Sequence, residues 1–287
     1  MIIDDSKVFI VGANGQLGRA LKAQYPNAQS ADIDELDITD ADSVKKYDWS
    51  KIDIILNAAA YTNVDGAETA EGRIAAWDVN AAAVKNLAYA VWEHQLKAIV
   101  HISTDYVFDG SKDNHKETEL FSPLSVYGSS KAAGDLLISQ VDKHYILRTS
   151  WVIGEGNNFV RTMLGLGEKG VNPTVVADQI GRLTFTSELV RAIDHLLTAG
   201  APFGTYNVSN GGEPASWANI TREIFKVAGY SLQVTDTTTA EYYAGKEGIA
   251  PRPLKSTLDL EKIQATGFVS LDWQKELTKY IAKEQQQ

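Results

Sequence analysis

The sequence predicts an α/β fold, a doubly wound parallel sheet joined to a smaller C-terminal domain. Three observations carry this. Short, continuously apolar runs alternate with helix-period segments through the first half of the 287 residues. A glycine triple, Gly12, Gly15 and Gly18, separates the first apolar run from the first helical one. The rhythm then changes after Trp151, where a glycine-rich stretch begins. Strands that read as unbroken hydrophobic runs between helices are buried on both faces, which is the habit of parallel sheets.

Element by element, Lys7 to Gly12 (KVFIVG) is a β-branched run ending in glycine. GQLGRALKAQY follows, with Leu17 and Leu21 one helical turn apart. The second strand is expected to end near Asp32. Ile52 to Ala60 (IDIILNAAA) and KAIVHIST are further buried strands, with the helix NAAAVKNLAYAVWEHQ between them. YGSSKAAGDLLISQV is a helix, and HYILRTSWVIG reads as one more strand. Beyond it, NNFVRTMLGLGEKG contains a helix. TVVADQIGRLTF and GTYNVSN look like strands flanking the helix SELVRAIDHLLTAG. The tail holds the helix WANITREIFKVAG, the loop AGKEGIAPRPLKST and a last amphipathic helix near LDWQKELTKYIAKE. The expected division is a dinucleotide-binding domain from 1–150 and 176–210 and a second domain from 151–175 and 211–287, with the ligand between them.

Composition narrows the function. A formal net charge of −10 disfavours a nucleic-acid binder, which needs basic surface to displace counterions from phosphates. It leaves small anionic ligands open, since a few backbone amides hold a diphosphate on an acidic protein. No cysteine is present, which removes disulfides, thiolate metal sites and thiol catalysis. The five histidines, His94, His101, His115, His144 and His195, show no metal-ligand spacing. No apolar run is long enough to span a membrane, and the first residues lack a basic region followed by a cleavage site. A cytoplasmic setting is expected.

The glycine loop carries the first chemistry. Glycine lets the chain turn sharply, lets backbone approach a diphosphate and lets the helix pack close to the strand. The helix N-terminus adds free N–H groups and a positive dipole end. Asp32 sits where an acid accepts hydrogen bonds from an adenosine ribose, which favours NADH; Arg19, just past the glycines, could instead meet a 2′-phosphate. Tyr127 and Lys131 (YGSSK) lie one helical turn apart on one face, so phenol and ammonium reach one ligand. A neighbouring ammonium is expected to lower the phenol's pKa. Upstream, a buried strand ends in Ser103, Thr104 and Asp105, whose side chains would point into the crevice at the strand's carboxyl end.

With these residues the chain resembles the extended short-chain dehydrogenases, Rossmann-like enzymes, and within them the dTDP-4-dehydrorhamnose reductase branch. The matching blocks are GANGQLG, LDIT, NAAAYTNVDGAE, STDYVFDG, PLSVYGSSKAAGD, LRTSW, GNNFVRTM, VVADQIGRLT and RPLKST, from Gly12 to Thr257. The resemblance implies NADPH or NADH as cofactor and reduction of the carbon-4 ketone of a dTDP-sugar. It makes Thr104, Tyr127 and Lys131 the catalytic triad. Asn14, Gly15, Gln16 and Leu17 would line the diphosphate, Asp37 and Ile38 the adenine, and Ala58, Ala59 and Ala60 the length of the cofactor. Trp151 would touch the sugar, together with Ser103 and Asp105, and Arg252 the substrate diphosphate. Relatives can hold Mg2+ at a subunit contact with acids from the first helix. Here that helix carries none, and Glu188 alone is not a site, so a monomer or a homodimer without bridging metal is expected. Another sugar-nucleotide ketoreductase or epimerase is the nearest rival, followed by a dinucleotide-binding regulatory subunit without turnover.

Overall fold

The computed structural model describes residues 3–286. Its main sheet has six strands: β1 (Val8–Val11), β2 (Gln29–Ala31), β3 (Ile54–Asn57), β4 (Ala98–Thr104), β5 (His144–Thr149) and, much later in the chain, β10 (Gly204–Asn207). Every pairing is parallel and the order is β2-β1-β3-β4-β5-β10. The chain leaves β1 toward β2 on one side and returns to β3 on the other. The carboxyl ends of β1 and β3 therefore form a topological switch point, where such sheets bind ligands.

Six shorter strands fill the interval and the tail: β6 (Val152–Ile153), β7 (Thr174–Val176), β8 (Ile180–Gly181), β9 (Thr184–Phe185), β11 (Ala215–Ser216) and β12 (Thr235–Thr237). They pair as β6 with β9, β7 with β12 and β8 with β11. The helices are α1 (Gln16–Gln24), α2 (Ala41–Lys46), α3 (Ala70–Trp77), α4 (Ala83–Glu93), α5 (Val126–Ile138), α6 (Phe159–Glu168), α7 (Thr186–Ala199), α8 (Trp217–Ala228), α9 (Thr239–Tyr243), α10 (Glu261–Gln264) and α11 (Trp273–Glu284). Among the described residues no helix is long and apolar enough to cross a membrane.

The apolar runs are explained by burial on both faces. Val8, Ile10, Ile54, Leu56, Ala98, Val100, Tyr145 and Leu147 pack with α1 and α7. The residues between them, Phe9, Val11, Ile55, Ile99 and Ile146, pack against α4 and α5 on the other face. Adjacent side chains of a strand point to opposite faces, so a run buried on both sides must be apolar throughout. A separate core holds Ile153, Val160, Val175, Phe185, Ile224, Phe225, Trp273 and Leu277 from the shorter elements. Leu260, Ile263 and Phe268 return to the first core.

Two expected strands come out differently. HYILRTSWVIG breaks after Thr149, because Trp151 takes a left-handed backbone (φ 48°) and sends Val152–Ile153 to pair with β9. A bulky side chain in that region costs about 1–3 kcal/mol. Stacking of its indole on Trp217, centroids 3.7 Å apart, is the contact that holds it there. TVVADQIGRLTF divides into β7, β8 and β9, each pairing with a different partner. Between α3 and α4 a π-turn, Asp78–Ala82, keeps one continuous helical rod while widening it locally.

Candidate active site

A cleft runs along the carboxyl edge of the sheet in two connected parts. One, about 340 Å3, is lined by Gly12, Asp32, Ile33, Asp37, Ile38 and Ala59, among others. The other, about 620 Å3, takes in Asn14, Gln16 and Leu17 at one end and Ser103, Thr104, Asp105, Tyr127, Lys131 and Trp151 at the other. Gly15, Ala58 and Ala60 line both.

The glycines shape this cleft. Gly12 has φ 76°, and a Cβ on it would lie 2.6 Å from the amide nitrogen of Ala59. Gly18 lies outside the cleft lining; a Cβ there would come within 2.1 Å of the Gly12 carbonyl oxygen, so its role is close packing of α1 on the loop. Gly15 opens onto the cleft with only that carbonyl near, at 3.3 Å, and its bareness leaves room for a ligand. Asp32 closes the far end. Its carboxylate accepts from the backbone N–H groups of Asn14 and Ile33, both at 2.9 Å. Arg19 is on the other side of the loop, lining the larger cavity, and its guanidinium donates to the carbonyls of Asn14 and Glu155. Arg19 and Asp32 thus hold the backbone of the same residue, Asn14, one at its carbonyl and the other at its N–H.

At the inner end, α5 is capped by Ser125, whose hydroxyl accepts from Gly128 N–H. This capping fixes the first turn, which presents Tyr127, with Lys131 one turn behind. Tyr127 is buried against the edge of Tyr106. Burial pushes its phenol well above the usual range, opposed by a hydrogen bond with Thr104, with Asp105 and Asp135 adding to the rise. This reverses the expected lowering by Lys131. The Lys131 ammonium instead donates to the Ile102 carbonyl at 2.6 Å, and burial pushes it down to about 8, resisted by Asp135. Thr104 donates to Asp105 at 3.1 Å and accepts from Tyr106 N–H. Burial pushes the Asp105 carboxyl up to about 6, against hydrogen bonds from Ser256 and Thr104.

Several supporting groups were invisible as site residues in the sequence. Asp135 accepts from Arg148 at 2.9 Å, both buried, and the Arg148 guanidinium lies 5.2 Å and 4.9 Å from the ring centres of Phe108 and Phe121. Asn57 accepts from Ala59 N–H, so its amide nitrogen faces His101 Nδ1 at 3.0 Å and donates to it. Burial and the Lys131 charge hold His101 neutral, far below its usual pKa. Asn80, on the π-turn, holds the backbone of Tyr61 in both directions and donates to Ser130. For Asn57 the only signal in the sequence was a polar residue at the end of an apolar run, which many non-functional strand ends share.

Arg252 stands apart from the cleft lining; it donates to Asp65 at 2.7 Å, and the same Asp65 oxygen accepts from Ala250 N–H. The Glu188 carboxylate is taken up by Leu271 N–H and Arg191. Among the described residues no three His, Asp or Glu side chains gather as a metal site.

A switch-point cleft that starts on a glycine turn and ends at Thr104, Tyr127 and Lys131 defines a dinucleotide-dependent oxidoreductase of the extended short-chain dehydrogenase type. The comparisons with known proteins narrow the class. The family described as RmlD substrate binding domain matches residues 6–286. The dTDP-4-dehydrorhamnose reductase of Aggregatibacter actinomycetemcomitans is 42% identical over 95% of this chain and 97% of its own. The crystal structure of a dTDP-4-dehydrorhamnose reductase from Clostridium acetobutylicum superposes with TM-score 0.89 at 36% identity, covering 97% of this chain and 99% of that one. The Bacillus anthracis dTDP-4-dehydrorhamnose reductase, solved in complex with NADP, gives 0.87 at 35% identity, covering 96% and 98%. The chain belongs to the dTDP-4-dehydrorhamnose reductase family.

Proposed function

We propose that this protein reduces the carbon-4 ketone of dTDP-4-dehydro-L-rhamnose to dTDP-L-rhamnose with NADPH or NADH, acting on this small-molecule substrate in the cytoplasm. The observation that carries the reading is the junction of the two cleft parts. The cavity on the glycine turn shares Gly15, Ala58 and Ala60 with the larger one, whose lining includes a buried phenol, hydroxyl and ammonium. The residues fit a dinucleotide: Asp32, Asp37 and Ile38 would hold its adenosine end, Gly12 to Leu17 its diphosphate and Ala58 to Ala60 its length.

When bound, the dinucleotide supplies the hydride. The chain's own groups handle the charge and the proton. Reduction of a ketone needs a donor that keeps its proton until negative charge grows on the carbonyl oxygen. Tyr127 has that property: a phenol is neutral at physiological pH, and burial holds this one further from ionisation. Thr104 orients the same oxygen. Lys131 supplies a positive charge behind the phenol, favouring the phenolate as the proton leaves. Ser103, Asp105 and Trp151 would meet the sugar, and Arg252 its diphosphate after parting from Asp65. In this division of labour 1–150 and 176–210 serve the dinucleotide, and 151–175 and 211–287 the sugar nucleotide.

The test is loss of NAD(P)H absorbance with dTDP-4-dehydro-L-rhamnose generated in situ, alongside dTDP-, UDP- and GDP-linked ketosugars. Tyr127→Phe should lower kcat by about 100- to 10,000-fold with dinucleotide binding retained. Near-normal turnover in that variant, or no oxidation by folded wild type, would reject the assignment.

A further inference from the structure

We infer that Arg19 and Glu155 form a latch that holds the Gly154–Asn158 loop over the diphosphate part of the cleft and sets how long a dinucleotide stays bound. This rests on the dinucleotide reading above and adds a determinant to it.

Glu155, Gly156 and Asn157 line the larger cavity opposite Asn14, Gly15, Gln16 and Leu17, so the loop and the glycine turn are two walls of one passage. Two side chains of α1 tie these walls together. Gln16 accepts from Gly154 N–H at 2.8 Å and reaches the Asn157 carbonyl at 3.4 Å. Arg19 donates at once to the carbonyl of Asn14 on one wall and of Glu155 on the other, while its Nε lies 3.5 Å from the Glu155 carboxylate. The far side of the loop is fixed separately. Asn158 donates to the Gly154 carbonyl at 2.8 Å, and Tyr280 of α11 donates to the same carbonyl at 3.0 Å. One side of the roof is thus anchored to the second core, and the other is held to the glycine turn through Arg19 and Gln16.

The electrostatics indicate a role beyond stability. Arg19 lies one turn into α1, its N–H bonded to the Gly15 carbonyl at 3.0 Å. A cation over the positive end of a helix is unfavourable by itself. It is favoured there by anions, and Glu155 is one. Glu155 is 66% exposed, so it is not needed for packing. Opening the loop would separate Arg19 from a carboxylate and a carbonyl together, and charge-assisted hydrogen bonds are the strong ones. Solvent screening reduces the effect at this partly exposed site, and about a two- to fivefold change in release rate remains.

The experiment is stopped-flow displacement of NADPH, read by nicotinamide fluorescence, from wild type, Arg19→Gln, Glu155→Gln and the double variant Arg19→Gln with Glu155→Gln. Each single variant should release NADPH about two- to fivefold faster, with KM for the dinucleotide rising more than KM for the sugar nucleotide. The double variant should release no faster than Arg19→Gln alone, and added salt should speed wild type more than Arg19→Gln. Wild-type rates in both single variants would overturn the latch. Fast release from Arg19→Gln with Glu155→Gln unchanged would also overturn it, by making Arg19 a direct contact. Should Arg19→Gln fold poorly, Glu155→Gln at its exposed position carries the test. Absence of NADPH binding by wild type would remove the dinucleotide reading, and this inference with it.

Discussion

Replacing Asp105 by Asn gives a stability change whose pH dependence follows from the site. The carboxyl is 3% exposed, and burial pushes it from 3.8 up to about 6. Between those values the folded chain holds a proton that the unfolded chain has lost. Stability therefore falls as pH rises through this window, and above about pH 6 the folded state carries the whole deficit. At about 1.4 kcal/mol per pKa unit the deficit is about 3 kcal/mol. Asparagine keeps an acceptor for Thr104 and cannot ionise. Its stability relative to wild type should rise by about 1.4 kcal/mol between pH 5 and pH 8. Any constant effect of the substitution cancels in that comparison. Urea unfolding of both proteins across this range measures it, and the melting temperatures should diverge by roughly 3 °C. Parallel curves, agreeing to within about 0.3 kcal/mol, would show that Asp105 is not a strained acid in the folded state.

Other consequences are equally direct. Gly18→Ala would press a methyl group against the backbone of Gly12 and Ala13; a loss of about 1–3 kcal/mol and weaker NADPH binding are expected in melting and fluorescence titration, and unchanged values would exclude the close-packing role. Asp135→Asn leaves the Arg148 charge buried without its partner, at a cost of about 3–5 kcal/mol in urea unfolding; a cost below about 1 kcal/mol would show that the pair is not isolated from water. Burial pushes Lys131 down to about 8, so turnover that depends on its charge should decline as pH rises through that value, whereas a flat profile from pH 7 to 9 would separate the ammonium from the rate.

What the sequence revealed and what it hid have physical causes. The central strands of the sheet were legible because burial on both faces demands apolar runs such as VFIV and IILN. The glycine turn was legible because Gly12, Gly15 and Gly18 each meet a different steric demand. Positions that depend on partners distant in sequence were not legible. The break at Trp151 follows from β9 and Trp217, both encoded later in the chain. The Lys131 contact with Ile102 and the burial of Tyr127 reverse an expectation drawn from helical spacing alone, because spacing gives proximity and not desolvation. Arg252 was assigned by motif, and its pairing with Asp65 depends on the loop after β3.

The place of β10 bears on how this chain is made. β10 closes the outer side of β5, yet it is encoded about 55 residues after β5 ends. At about 5–20 residues per second, a ribosome exposes the unpaired edge of β5 for several seconds before its neighbour emerges. An open parallel edge is a template for pairing with another nascent chain. The six-stranded sheet therefore cannot be completed early in synthesis, and overproduction would favour aggregation through β5 unless a chaperone covers that edge.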